Sequence, residues 1–139
     1  MSDTPKITTP LPDVDEVNRP FWDAAKRGEF TLYTCSDCGS QYYPAIECTK
    51  CSALRPPMSW KQASGKGKVV SWVIMHKAYH EGFRDMVPYN VALVRLDEGP
   101  FFLTNIIGCA NEDLRYEMPV SIDFQRITDE ITLPRFKST

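Results

Sequence analysis

Four of the five cysteines form two Cys-x-x-Cys pairs, and nine residues separate the pairs. Cys35 and Cys38 make the first pair, and Cys48 and Cys51 make the second. Each pair can present two thiolates from one tight turn, and four thiolates make the tetrahedron that Zn²⁺ takes in closed structural sites. The spacing therefore predicts a structural zinc site with no open position for catalysis.

The alternatives to zinc are iron in the same four thiolates, two disulfides, or four thiols without a metal. Disulfides persist in oxidising compartments, and the segment 1–18 is polar, acidic and interrupted by prolines, unlike a signal peptide. We therefore expect a cytoplasmic protein with a bound metal. No apolar run reaches the ~20 residues of a transmembrane helix, so we expect no membrane partner.

A short helix is predicted over residues 19–28, because a proline lies near its start and a glycine at its end. Phe21 shares one face of this helix with Ala24 and Ala25, at spacings of three and four residues. Trp22 is predicted to point away from that face. A helix this short is not stable alone, so it must pack on its own domain or on a second subunit.

Alternating apolar residues predict three short strands around the cysteines and five strands after them. The predicted ranges are 29–34, 41–43, 58–61, 68–77, 89–96, 101–107, 120–127 and 131–133. One or two helical turns fit 108–116, so the order is three strands, a small helix and two strands. This order is typical of the five-stranded OB-fold barrel, and an SH3-like barrel is the alternative.

The chain is thus predicted to be mainly β, with three regions. We expect an N-terminal arm and helix over 1–28, a rubredoxin-like zinc ribbon over 29–63 and a C-terminal OB-fold over 64–139. Within the long strand 68–77, strict alternation places Val69 and Val73 on the face opposite to His76.

Charge is unevenly distributed along the chain. The formal net charge is -2, which argues against a general nucleic-acid role because such binding depends on neutralising phosphates. Residues 50–95, however, carry eight basic and two acidic side chains. This positive band is either a solvated face or a site for a phosphorylated small molecule or an acidic partner.

Several motifs occur in an order that resembles a known family. They are Phe21-Trp22 and Gly28, the four-cysteine ribbon, Ser64-Gly65-x-Gly67-x-Val69-Val70-Ser71, Pro88-Tyr89-x-Val91-Ala92-Leu93-Val94-x-Leu96-Asp97-Glu98-Gly99, and Leu133-Pro134-x-Phe136. Over residues 18–137 the chain resembles the zinc-ribbon-plus-OB-fold proteins catalogued as domain of unknown function thirty-five. One departure is Glu117, at a position before the fourth barrel strand where the family usually has glycine.

The resemblance implies an accessory subunit. Family members accompany thiolase-like enzymes, and some accompany hydratases in steroid side-chain breakdown. The implied role is to bind the partner enzyme and help form its acyl-CoA site, so that a CoA thioester is a shared ligand and the chemistry belongs to the partner's residues. No catalytic residue is therefore assigned to this chain.

Nine residues are candidates for contact with acyl-CoA or with the partner: Phe21, Trp22, Lys66, Lys68, Trp72, His76, Tyr79, Phe83 and Arg84. OB-folds bind through the loop between strands one and two, and the predicted loop 78–88 is unusually apolar. Lys66 and Lys68 flank Gly67, where they could meet the phosphates of CoA; a solvated turn is the alternative.

Two other functions remain open from the sequence. A single-stranded nucleic-acid binder could stack bases on Trp72, Tyr79 and Phe83. A self-sufficient acyl-CoA enzyme would need a catalytic set, for which His76 with nearby Ser71 and Asp85 is the nearest arrangement. No nucleophile-elbow sequence accompanies that set, and we expect the fifth cysteine, Cys109, to lie in or near the core.

Overall fold

The structure is a computed structural model that describes residues 9–43, 50–51 and 58–139. Its one α-helix and nine β-strands, within those ranges, are α1 (Arg19–Lys26), β1 (Thr31–Cys35), β2 (Gln41–Tyr42), β3 (Met58–Gln62), β4 (Lys66–Met75), β5 (Tyr89–Leu96), β6 (Phe101–Thr104), β7 (Ile106–Ile107), β8 (Pro119–Arg126) and β9 (Thr132–Ser138). Short 3-10 turns span Glu81–Phe83 and Asn111–Asp113. No helix in these ranges is both long and apolar enough to cross a membrane.

The first sheet is a three-stranded antiparallel ribbon in the order β2-β1-β3. β1 is its central strand, where Tyr33 pairs with Tyr42 on one side and with Trp60 on the other. All five residues of β1 are buried. The predicted ribbon of short strands is therefore confirmed in the described residues, and its central strand runs directly into the first cysteine.

The second sheet is a barrel in the order β6-β5-β4-β8-β9-β7. β6 and β7 are successive segments of one strand, separated by Asn105. β6 pairs with β5, whereas β7 pairs in parallel with β9, with Ile106 opposite Phe136. The two ends of the sheet are therefore joined by one strand, as in a five-stranded partly open barrel. The predicted OB-fold is confirmed.

A pair of asparagines holds the strand where it crosses from β5 to β9. Asn90 on β5 accepts a hydrogen bond from the Ile106 amide at 2.7 Å and donates to the Ile106 carbonyl at 2.9 Å. Asn105 donates to the Asn90 carbonyl. These side chains replace ladder hydrogen bonds that the break in the strand removes, so the buried backbone groups remain satisfied.

Buried and half-buried residues alternate along β5, and the buried ones form part of the barrel core. Ala92, Val94 and Leu96 face inward and are buried, while the residues between them are half-buried. Val69, Val120 and Phe136 meet them from the neighbouring strands at 0–1% exposure. A single apolar cluster extends from these residues to Phe21 and Phe30, so the helix and the barrel share one core.

β4 departs from the predicted alternation. Val69 lies opposite Val94, but Ser71 lies opposite Leu93, so Val70 is an extra residue in the strand. Such a β-bulge reverses the faces beyond it. Val69 is fully buried and Val73 is 55% exposed, and the prediction that these two valines share a face is therefore wrong.

The last strand and the helix also differ from the predictions. β9 does not end before Pro134; it runs to Ser138. Pro134 is tolerated because the ladder with β7 starts only at Phe136, and its carbonyl accepts a hydrogen bond from Thr104 Oγ1 at 3.2 Å. Trp22, predicted only to lie off the face of Phe21, is 6% exposed, because α1 is covered on more than one face.

Candidate metal centre and binding surfaces

The first cysteine pair lies in a tight turn at the end of β1. The Gly39 amide donates to the Cys35 carbonyl at 2.8 Å, and the Cys35 amide donates to the Ser40 carbonyl at 2.9 Å. Gly39 has a φ of 78°, a left-handed conformation that glycine adopts without steric cost. The turn thereby returns Cys38 towards the buried Cys35 side chain.

Three thiols come together at this turn. The Sγ atoms of Cys35, Cys38 and Cys51 all lie within 4.8 Å of one another. Cys35 Sγ is 3.6 Å from Cys51 Sγ, far longer than the ~2.05 Å of a disulfide. A Zn–S bond of ~2.3 Å places the sulfurs of a tetrahedral site ~3.8 Å apart. The three thiols therefore fit three corners of a metal tetrahedron; Cys48, the fourth predicted ligand, lies outside the described residues.

Aromatic rings connect the three-stranded ribbon to the rest of the core. Tyr33 on β1 stacks on Trp60 of β3, with ring centroids 4.8 Å apart. The ring of Phe21 on α1 lies 5.9 Å from that of Trp60 and 6.5 Å from that of Phe102 on β6. The helix therefore packs between the ribbon and the barrel.

Phe21 and Trp22, two of the predicted contact residues, are buried rather than displayed on the surface. Both line a cavity of about 360 Å³ between α1 and the strands β5, β6 and β9. Trp22 Nε1 is buried and has no hydrogen-bond acceptor among the described residues. Such an unsatisfied donor is uncommon in a native interior.

Arg135 on β9 borders the same cavity, and the sequence analysis missed it because β9 was predicted to end earlier. Its Nε donates to Gln125 Oε1 at 3.0 Å, and its Nη1 donates to Asn105 Oδ1. Burial lowers the pKa of Arg135. No carboxylate pairs with it among the described residues.

Lys66 and Lys68 are exposed at the start of β4. Gly67 between them is buried, and a Cβ there would lie 2.6 Å from the Arg95 carbonyl oxygen. The glycine therefore permits the close approach of β5. The two lysines remain available to an anion on the surface.

The catalytic set considered for the alternative of a self-sufficient enzyme does not assemble in the described residues. Ser71, His76 and Asp85 are all exposed, and no hydrogen bond or ion pair joins them within the described ranges of the chain. His80 has a structural contact instead, because its Nδ1 accepts the Gly82 amide at 2.9 Å. Cys109 is half-buried against the main core, near the position expected for it.

The loop after β4 is partly packed and partly exposed. Phe83 stacks on Tyr89 with ring centroids 5.3 Å apart. Tyr79 is 78% exposed, and Lys77 Nζ lies 5.2 Å from the centroid of its ring. Arg84 forms an exposed ion pair with Glu81 at 3.6 Å. The remaining predicted contact, Trp72, is half-buried on β4.

An apolar patch that the sequence analysis did not single out covers the outside of the barrel. We call it the outer face; it comprises Val73, Val91, Leu93, Phe101 and Leu103. The strand register places these side chains on one side of β4, β5 and β6. Phe101 is 58% and Leu103 66% exposed. Contiguous exposed apolar surface of this kind marks interaction sites.

Comparison with known proteins gives two family matches. Residues 22–55 match the model described as "ChsH2, rubredoxin-like zinc ribbon domain". Residues 60–125 match "ChsH2, C-terminal OB-fold domain". The two matches follow the same order along the chain as the ribbon and the barrel of the structure.

Similar proteins extend this result. A "Probable enoyl-CoA hydratase alpha subunit" of Thermomonospora curvata is 32% identical over 96% of this chain, which spans 41% of that protein's length. A "DUF35 domain-containing scaffold protein" of Methanocaldococcus jannaschii is 34% identical over 69% of this chain and 67% of its own length.

A solved structure, "Ltp2-ChsH2(DUF35) aldolase", superimposes with a TM-score of 0.80 and 31% identity, covering 92% of this chain and 98% of the matched one. The zinc-ribbon and OB-fold matches, the identity and the fold agree with the resemblance recognised from the sequence. This chain therefore belongs to the DUF35 family of zinc-ribbon and OB-fold proteins, which includes the matched domain of ChsH2.

Proposed function

We propose that this chain is a non-catalytic, zinc-containing accessory subunit that binds a thiolase-like enzyme and helps form its acyl-CoA site. The observation that carries the proposal is the likeness, over 98% of the matched chain, to the ChsH2(DUF35) component of an aldolase. A relative named as a scaffold protein and another named as a hydratase subunit support the same role.

In this proposal zinc supports the structure of the subunit. Cys35, Cys38 and Cys51 would hold it with Cys48, and a four-thiolate site leaves no position for substrate. Ribbon residues 29–63 and barrel residues 64–139 would then act as two halves of one rigid adaptor, with the N-terminal segment over residues 1–28 linking them through α1. Supporting this, the rings of α1 and β3 belong to the same apolar cluster as the barrel core.

The outer face is the surface we assign to the partner enzyme. Its exposed members come from β4 and β6, the two strands that flank β5, with the half-buried Val91 and Leu93 of β5 between them. Covering such a patch removes apolar surface from water, and each Å² buried stabilises the complex by about 25 cal/mol. The exposed ring of Tyr79 and the guanidinium of Arg84 extend the proposed contact surface beyond the strands.

The acyl-CoA contact in this proposal is assigned to Lys66, Lys68 and His76. All three side chains are exposed on or directly after β4. Lysine is a common ligand of phosphate groups, and residues 50–95 carry most of the excess positive charge. We propose that the two lysines meet the nucleotide phosphates of CoA while the acyl group enters the partner's active site. His76 follows the opposite end of this ten-residue strand and would contact another part of the acyl-CoA.

The proposal is tested by affinity capture of the tagged chain from its native host. We expect mass spectrometry to identify a thiolase-superfamily protein in near-equal amount, and we expect acyl-CoA to bind the captured pair more tightly than either chain alone. Recovery of the chain by itself, or with a partner that has no CoA-dependent activity, would contradict the proposal. Salt-sensitive recovery of nucleic acid instead would favour the nucleic-acid alternative.

A further inference from the structure

Three adjoining cavities meet at Arg135. Their volumes are about 360, 270 and 290 Å³, and sites for small molecules begin at about 300 Å³. Arg135 and Asn105 line all three of them. Arg135 is also the one charged residue among the described residues that line these cavities. The junction therefore presents a single positive charge to largely apolar space.

The positive charge is not neutralised by any carboxylate in the described ranges. Its two acceptors there, Gln125 Oε1 and Asn105 Oδ1, belong to neutral amides. A guanidinium carries five N–H donors, so hydrogen-bonding capacity remains after these two bonds. Arg135 is half-buried, and even partial burial of a cation without an opposite charge is unfavourable. An anion at this position would relieve that cost.

The walls of the largest cavity indicate what the rest of such a ligand must be. This cavity of about 360 Å³ is lined by the apolar side chains of Phe21, Phe102 and Leu133, and by Val91 and Leu103, which also belong to the outer face. Trp22 also lines this cavity. A ligand that fits must therefore combine an apolar body with an anionic group that reaches Arg135.

We propose that the junction at Arg135 binds a small hydrophobic carboxylate, with the carboxylate on the guanidinium and the apolar body against Trp22 and Leu133. Guanidinium and carboxylate match in a planar, two-bond geometry. A phosphate dianion fits less well, because one cation would leave some of its charge buried without compensation. The proposal does not depend on the partner enzyme, so it is tested on this chain alone.

The experiment is a titration of the zinc-loaded, ¹⁵N-labelled full chain with 4-phenylbutyrate, followed by NMR. Separate titrations use 4-phenylbutyramide, which has the same shape without the charge, and inorganic phosphate. We expect 4-phenylbutyrate to bind saturably and to shift the indole N–H resonance of Trp22, which is assigned with Trp22→Phe. The amide should bind at least about tenfold more weakly, as expected for loss of a charged hydrogen bond.

The variant Arg135→Gln should weaken carboxylate binding by about tenfold to a hundredfold. Arg95→Gln is the matched control, since Arg95 pairs with Glu117 at 3.7 Å and does not line the cavities. The affinity of this variant for 4-phenylbutyrate should stay within twofold of that of the unsubstituted chain. If Arg135→Gln does not fold, the proposal is tested by comparing the affinities of the unsubstituted chain for 4-phenylbutyrate and 4-phenylbutyramide. Equal affinity for the two ligands, no saturable binding at millimolar concentration, tighter binding of phosphate, or an unchanged affinity in folded Arg135→Gln would each overturn the proposal.

Discussion

The rings of Phe21 and Tyr43 lie 4.2 Å apart, centroid to centroid, and join the helix to the ribbon. The same Phe21 ring contacts Trp22 at 5.1 Å and Phe30 at 6.0 Å. Tyr43 in turn lies 5.4 Å from Phe102 of the barrel. One phenylalanine on an eight-residue helix is therefore the side chain around which the ribbon and the barrel meet.

Replacing Phe21 with alanine should destabilise the whole chain, because it removes a ring that is 1% exposed and contacts both sheets. Core Phe→Ala changes typically cost about 3–5 kcal/mol. Urea denaturation followed by far-UV circular dichroism measures the change. Asp23→Ala, an exposed position on the same helix, is the control and should change the free energy of unfolding by less than about 0.5 kcal/mol. A loss below about 1 kcal/mol in Phe21→Ala would contradict the bridging role.

Replacing Cys35 with serine should abolish stoichiometric metal binding, because it removes the buried member of the thiol cluster. We expect one metal ion per unsubstituted chain by elemental mass spectrometry, and well under one in Cys35→Ser, with loss of amide protection in β1–β3. Cys109→Ser is the matched control, since Cys109 lies outside the three-thiol cluster. Full metal content in Cys35→Ser would exclude this site, and the absorption spectrum distinguishes colourless zinc from coloured iron.

Alkaline pH should destabilise the protein through Tyr43. Burial, and secondarily the charge of Asp15, raise the pKa of Tyr43 from 10.0 to about 12. The folded state favours the neutral phenol. The contribution of Tyr43 to the free energy of unfolding is therefore fully present below pH 10 and is lost as pH rises from 10 to 12. Relative to Tyr43→Phe, the unsubstituted chain should lose about 2 kcal/mol of unfolding free energy across that window. Parallel pH profiles of the two proteins would refute the assignment.

Replacing Glu117 with glycine should stabilise the chain. Glu117 has a φ of 63°, the one left-handed non-glycine residue in the described ranges. That conformation costs a side-chain-bearing residue about 1–2 kcal/mol, while glycine adds entropy to the unfolded chain. Glycine also loses the exposed ion pair with Arg95, which contributes little at this exposure, so the net gain should be about 0.5–1 kcal/mol by thermal or urea unfolding. Glu117→Ala keeps the strain and loses the ion pair with Arg95, so it should be neutral or destabilising; a gain equal to that of glycine would contradict the strain argument.

The fold was largely predictable because its determinants are local. The spacing of the cysteines predicted that Cys35, Cys38 and Cys51 come together, as they do in the structure. The alternating apolar residues of β5 predicted the barrel strand with its correct bounds. The strand signal depends on neighbours within one strand, and the cysteine signal depends on two turns whose spacing is visible in the sequence.

The errors arose where distant segments of the chain decide the outcome. The bulge at Val70 depends on the register with β5 and β8, which alternation within β4 does not reveal. Pro134 continues β9 because the partner strand breaks at Asn105. Trp22 is buried because α1 lies against both sheets. The cavity junction at Arg135 escaped prediction for the same reason, since its lining comes from α1, β5, β6 and β9.

The most direct test of the central proposal is co-expression of this chain with the captured thiolase-like protein, followed by size-exclusion chromatography with light scattering. We predict one complex that contains both chains. Val73→Glu together with Phe101→Glu should separate it, because charges would be placed on the outer face, which is exposed at both positions. Tyr116→Glu, at a similarly exposed apolar side chain outside that face (63%), should leave the complex intact. Separate elution of the two unsubstituted chains would contradict the account. An intact complex in the double variant would show that the partner does not dock on the outer face.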